Sequence, residues 1–167
     1  MLLKNLIKTN LKSHKNIKIN GLELDSRKVK KGCIFFALKG NKLNGAKYIN
    51  EAIKKGASAI VCHKNIKFKS KVIPIIKTEN VRKILGESCQ IYFKNKPKNI
   101  IAVTGTNGKS SVANFFHQIL LLNKIKVASI GTLGIKKNNI NKNNNLTSPD
   151  IITCLLYTSD AADEEDS

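Results

Sequence analysis

At 167 residues the chain has room for one ordinary domain or two small ones, and 41% apolar content suffices for a packed core, which excludes wholesale disorder. No apolar run approaches the ~18 residues a membrane helix needs, and the first residues lack the features of an export signal, so a cytoplasmic protein without membrane insertion is expected. The charge of +19 suits a nucleic-acid binder, but the lysines are scattered and no nucleic-acid motif accompanies them; Lys, Asn and Ile are over-used together, as A/T-rich codons alone would produce.

Residues 1–20 have a loose apolar period that predicts a short helix. Leu22–Ser26 reads as a short strand entering a turn, and Lys30-Lys-Gly32 as a second turn. Ile34–Leu38 is a buried strand, and Gly40–Gly45 a polar loop. Ala46–Lys55 is a helix with Gly56 at its C′ position. Ala57–Cys62 is another buried strand; Val72–Ile76 is a third, placed at a sheet edge by Pro74. Asn80–Phe93 repeats its apolar residues every three or four positions and is a helix. Lys94–Asn99 is a polar connector. Beyond it come a strand (Ile100–Thr104), a Gly-rich loop (Gly105–Gly108), a helix (Lys109–Asn123) and a strand (Lys126–Ile130), the opening βαβ unit of a phosphate-loop domain. Lys136–Asn145 is a loop, and Ser148-Pro149 the start of a helix with Ser148 as N-cap. Strands alternating with helices make the class α/β.

Three features are set aside from the functional reading. Cys33, Cys62, Cys89 and Cys154 have neither C-x-x-C nor zinc-site spacing and read as free thiols. His14, His63 and His117 read as packed or solvated. Residues 154–167 contain no Lys, Asn or Ile and hold five of the 11 acidic residues; the string resembles a translated sequencing adapter and is expected to be foreign to the fold.

The strongest chemical signal is Thr104-Gly-Thr-Asn-Gly-Lys-Ser-Ser111. Its glycines let successive backbone N–H groups converge on one concavity, and the following helix adds its unpaired donors and the positive end of its dipole. Lys109 supplies a mobile positive charge for terminal phosphates, and Ser110 a hydroxyl for Mg²⁺. The spacing is shorter than in the general phosphate loop, which would need a glycine where Val103 stands.

The G-T-N-G-K-S-S string resembles the ATP loop of the Mur ligases and of the related folylpolyglutamate synthetases. The segments Leu24-Asp-Ser-Arg27, Ile34–Gly40 and Gly45–Ile49 are similar to the N-terminal UDP-binding domain of the Mur ligases that add the third stem-peptide residue, and Gly131–Gly134 with Asn145–Asp150 to their substrate-binding stretch. The resemblance implies a small N-terminal α/β UDP-sugar-binding domain over residues 1–95. The truncated start of a Rossmann-like P-loop ATP-binding domain would follow over 96–153.

It also implies an ATP-dependent amide ligase that extends UDP-N-acetylmuramoyl-L-alanyl-D-glutamate with meso-diaminopimelate or L-lysine through an acyl phosphate, acting as a monomer, with this chain as an inactive front part. Gly105, Thr106, Asn107, Gly108, Lys109, Ser110 and Ser111 would bind ATP, with Lys109 catalytic and Ser110 on Mg²⁺. Leu24, Ser26 and Asn41, Lys42 and Leu43 would meet the uridine end of the nucleotide sugar, and Thr147 and Ser148 its muramoyl-dipeptide part. A folylpolyglutamate or cyanophycin-type synthetase, or a non-catalytic nucleotide- or nucleic-acid-binding module, are the alternatives.

Overall fold

The computed structural model describes residues 1–7, 16–40, 44–95, 97–137, 140–142 and 150–156. The fold divides into two compact units, Met1–Tyr92 and Phe93–Ser167.

The first unit is built on a four-stranded parallel sheet in the order β1-β2-β3-β4, with β1 at Gly21–Glu23, β2 at Cys33–Ala37, β3 at Ala59–His63 and β4 at Ile75–Thr78. A parallel strand covered on both faces must be apolar throughout, and Cys33–Ala37 is buried at every position. Alternate residues along β2 serve opposite faces. Cys33, Phe35 and Ala37 join Val29, Ile49, Ala52, Ile60 and Cys62 on the face covered by helix α2 (Ile49–Lys54). Ile34, Phe36 and Val61 point the other way, toward α1 (Leu3–Leu6) and α3 (Val81–Tyr92). That second layer is tied by two side chains of α3: Ser88 Oγ donates to the Leu6 carbonyl at 3.3 Å, and Tyr92 Oη to the Asn20 carbonyl at 2.7 Å.

The predicted strand at Val72–Ile76 lies slightly later, at Ile75–Thr78, an edge strand that begins just after Pro74. The predicted helix Ala46–Lys55 is divided: Gly45–Tyr48 forms a 3₁₀ turn before α2 begins. Asn44 caps that turn by accepting from the Ala46 N–H at 3.1 Å, a local alternative to a longer helix. Gly56 ends the segment at φ +96°, the left-handed conformation expected of a C′ glycine.

In the second unit, helix α4 (Lys109–Leu122) packs against β5 (Ala128–Gly131), which pairs antiparallel with β6 (Gly134–Lys137), and β6 with β7 (Ile140–Lys142). Two expectations fail here. Ile100–Thr104 forms no strand, and Ile100 and Ile101 are exposed: a strand needs a neighbour, and none of the described strands pairs with this segment. The predicted loop Lys136–Asn145 contains the end of β6 and all of β7, because hairpin pairing satisfies the backbone of a polar run as well as of an apolar one.

A helical stretch over 151–156 closes the described chain and runs through Cys154. The Asp150 carboxylate caps it, accepting from the Thr153 N–H at 3.0 Å and from Thr153 Oγ1 at 2.7 Å, while the predicted cap, Ser148, lies outside the described residues. Among the described residues no helix is long and apolar enough to cross a membrane.

Candidate functional site

In the first unit, the predicted nucleotide-sugar residues Leu24 and Ser26 stand just beyond the carboxyl end of β1, the side of a parallel sheet on which ligands bind. Asp25 caps the 3₁₀ turn Ser26–Lys28, accepting from the Arg27 N–H at 3.0 Å and from Arg27 Nη2 at 2.8 Å. The side-chain hydrogen bonds from Arg27 hold the Asp25 carboxyl below its ordinary range. Leu24 is half-buried; Ser26 is buried, and its hydroxyl donates to Glu51 Oε2 at 2.7 Å. That bond, followed by Lys55, keeps Glu51 ionised to lower pH than a free glutamate. Sequence reasoning missed both Glu51 and Lys55; their signal was an i,i+4 acid–base pair on α2, facing a turn more than 20 residues away.

The loop between β2 and α2 is closed at its base by the Gly45 N–H donating to the Leu38 carbonyl at 2.8 Å, and by a bridge between Lys39 and Asn44. The predicted Asn41, Lys42 and Leu43 lie outside the described residues. A methyl group on Gly45 would come within 2.7 Å of the Leu38 oxygen and 2.8 Å of its nitrogen. These are backbone atoms that cannot step aside, so Gly45→Ala is expected to destabilise the first unit by about 1–3 kcal/mol, read as a lower urea midpoint.

In the second unit, residues 104–111 are exposed. Gly105 has φ +148° and Gly108, the N-cap of α4, φ +76°, so the chain curls before the helix starts in a way that side-chain-bearing residues resist. The first turn of α4 presents N–H groups that have no acceptor within the helix. Lys109 folds back over the curl, its ammonium donating to the carbonyls of Gly105 and Thr106. Gly105–Ser111 therefore form one exposed curl, with the Lys109 ammonium held against two of its carbonyls.

Ser110 Oγ lies 2.8 Å from Thr132 Oγ1 in the two-residue turn joining β5 and β6. A shallow groove runs from this pair between α4 and the hairpin to Lys136, whose ammonium donates to Asn114 Oδ1 at 2.7 Å. Thr132 falls in the Gly131–Gly134 stretch that the sequence singled out, whereas Asn114 and Lys136 carried no sequence signal, because only the hairpin pairing sets Lys136 opposite α4. Thr147 and Ser148 lie outside the described residues. Among the described residues no three His, Cys, Asp or Glu side chains cluster as a metal site.

His117 is buried on α4, as the packed reading of the sequence expects, and its Nε2 has no hydrogen-bond partner. Burial, then the charge of Lys136, lowers its pKa. The unfolded chain therefore takes up a proton first, near pH 6.5, and stability present above that pH falls as the solution is acidified. The protection of the α4 amides against hydrogen exchange, relative to their intrinsic rates, is expected to fall from pH 7 to pH 5, and His117→Leu to remove that fall.

Two family models match. One, described as the catalytic domain of the Mur ligase family, spans residues 18–107; the other, the Mur ligase middle domain, spans residues 103–166. The UDP-N-acetylmuramoyl-L-alanyl-D-glutamate–2,6-diaminopimelate ligase of Rickettsia typhi is 44% identical over 123 residues, which is 73% of this chain and 24% of the relative. A solved structure of a ligase with that same name superposes with a TM-score of 0.77 over 98% of this chain and 34% of its own, at 23% identity, a likeness of fold. The MurF ligase of Thermotoga maritima in complex with ADP superposes with a TM-score of 0.52 at 26% identity, over 66% of this chain and 24% of its own. The chain thus spans about a quarter to a third of these proteins. With more than half of its residues matched by one model, and the glycine curl and lysine at the start of α4 in place, the chain belongs to the Mur ligase family.

Proposed function

We propose that this chain supplies the uridine-binding and ATP-phosphate-binding parts of a cytoplasmic ligase that joins meso-diaminopimelate to UDP-N-acetylmuramoyl-L-alanyl-D-glutamate. The observation that carries the reading is the curl Gly105–Gly108 with Lys109 at the head of α4, supported by the 44% identity to a relative of that name. The residues have separate tasks. Backbone N–H groups of 105–111 receive phosphate oxygens, and Lys109 moves from the carbonyls of Gly105 and Thr106 to the terminal phosphates. A D-glutamate carboxylate then attacks the γ-phosphorus and ADP leaves. The diamino acid's amine attacks the resulting acyl phosphate, and inorganic phosphate departs.

The hydroxyls of Ser110 and Thr132 are hard oxygen donors of the type Mg²⁺ accepts, and with phosphate oxygens and water they fit that ion. When bound, Mg²⁺ neutralises charge on the transferring phosphoryl group. Leu24 and Ser26, with Asn41, Lys42 and Leu43, meet the uridine end, and Thr147 and Ser148 the muramoyl-dipeptide part. Residues 1–95 form the UDP-sugar domain and 96–153 the start of the ATP domain.

The test is equilibrium titration of the 167-residue chain with ADP and, separately, with UDP-N-acetylmuramoyl-L-alanyl-D-glutamate. Saturable binding of both supports the reading. Binding of a folate in place of the nucleotide sugar, or of DNA with steep salt dependence in place of ADP, refutes it. Because the chain spans so little of the relatives' length, no release of phosphate is expected when diaminopimelate is added.

A further inference from the structure

The turn after β1 carries a hydrogen-bond polarity. Ser26 Oγ donates to Glu51 Oε2 at 2.7 Å. The second carboxylate oxygen, Oε1, faces Lys55 Nζ at 3.4 Å, and the same ammonium donates to the Arg27 carbonyl at 3.0 Å. Asp25 grips the Arg27 side chain, so the backbone on either side of Ser26 is held as well. An ionised carboxylate only accepts. The one hydroxyl proton of Ser26 is therefore committed to Glu51, and toward any third group Ser26 offers lone pairs alone.

We infer that Glu51 is a positioning residue that makes Ser26 a fixed hydrogen-bond acceptor, selecting a pyrimidine whose ring nitrogen carries a proton, uracil, over one whose ring nitrogen is bare, cytosine. The inference rests on the proposal that Ser26 meets the uridine end of the nucleotide. Uracil presents N3–H between two carbonyls. Cytosine presents N3 as an acceptor, and acceptor against acceptor in a desolvated place leaves both unpaired. Lys55 sets the sense of the device. If Glu51 became an amide, the ammonium would draw the amide oxygen toward itself and turn the NH₂ toward Ser26. The serine proton would then be free to point outward.

The experiment compares UDP and CDP binding to the whole chain by calorimetry, with ADP as the control ligand. Wild type is expected to favour UDP by about tenfold, the worth of one hydrogen bond. Glu51→Gln is expected to bring the two affinities to near equality by weakening UDP and strengthening CDP, a reciprocal change that mere loosening of the turn would not produce. Ser26→Ala removes the hydroxyl without touching charge; it is expected to erase the preference and decides the matter if Glu51→Gln does not fold. ADP affinity stays constant throughout. A UDP preference unchanged in the folded variants overturns the inference and leaves the uridine reading standing. Failure of wild type to bind UDP while it binds ADP overturns both.

Discussion

Lys109→Ala is expected to lower the affinity of the chain for ADP and ATP by about 10–100-fold, while far-UV circular dichroism stays unchanged. The size follows from the bonds lost. Hydrogen bonds to charged partners contribute about 1.5–3 kcal/mol each, and 1.4 kcal/mol is about a factor of ten in Kd. The backbone nest and the head of α4 remain in the variant, so residual binding survives. The unchanged spectrum follows from position: Lys109 is exposed, opens α4 and packs against no core residue. Its resting bonds to the Gly105 and Thr106 carbonyls also matter, because they hold the cation directly over the curl. Lys109→Arg keeps the charge on a larger, planar group and is expected to recover only part of the affinity. A wild-type Kd in Lys109→Ala would remove this loop from the nucleotide site.

The first unit was legible in the sequence because its strands are short, continuous and apolar between strong turn signals. Cys33–Ala37 and Ala59–His63 fall within a residue or two of the predicted runs for that reason. Where pairing partners decide the outcome, the reading failed. Ile100–Thr104 has the composition of a strand but no parallel neighbour, and Ile140–Lys142 has the composition of a loop but a hairpin partner. Composition reports what a residue prefers; a ladder also needs a second strand at the right register.

The candidate site divides along the same line. The phosphate loop is contiguous, so seven residues could be named from one string, and the structure gathers them on one exposed curl. Glu51, Lys55, Thr132 and Lys136 reach their partners across 22 to 28 positions, apart from the local Glu51–Lys55 pair, and no local pattern announces such contacts.

Phe36→Ala is expected to cost the first unit about 3–5 kcal/mol, enough to unfold much of it. Phe36 sits in β2, an interior strand of the parallel sheet, with no solvent exposure, and its backbone pairs with Val61 of β3. Its ring points to the face that α1 and α3 cover. Deleting a fully buried ring from a close-packed interior leaves a cavity that the neighbours fill only in part, and its lining loses contacts. Val72→Ala is the matched control. It also removes apolar volume, but Val72 is 80% exposed, and its replacement should shift stability by no more than about 0.5 kcal/mol. Urea denaturation followed by circular dichroism separates the two. A Phe36→Ala midpoint equal to that of Val72→Ala would mean that β2 does not present Phe36 to a core, and the register pairing it with Val61 would have to be abandoned.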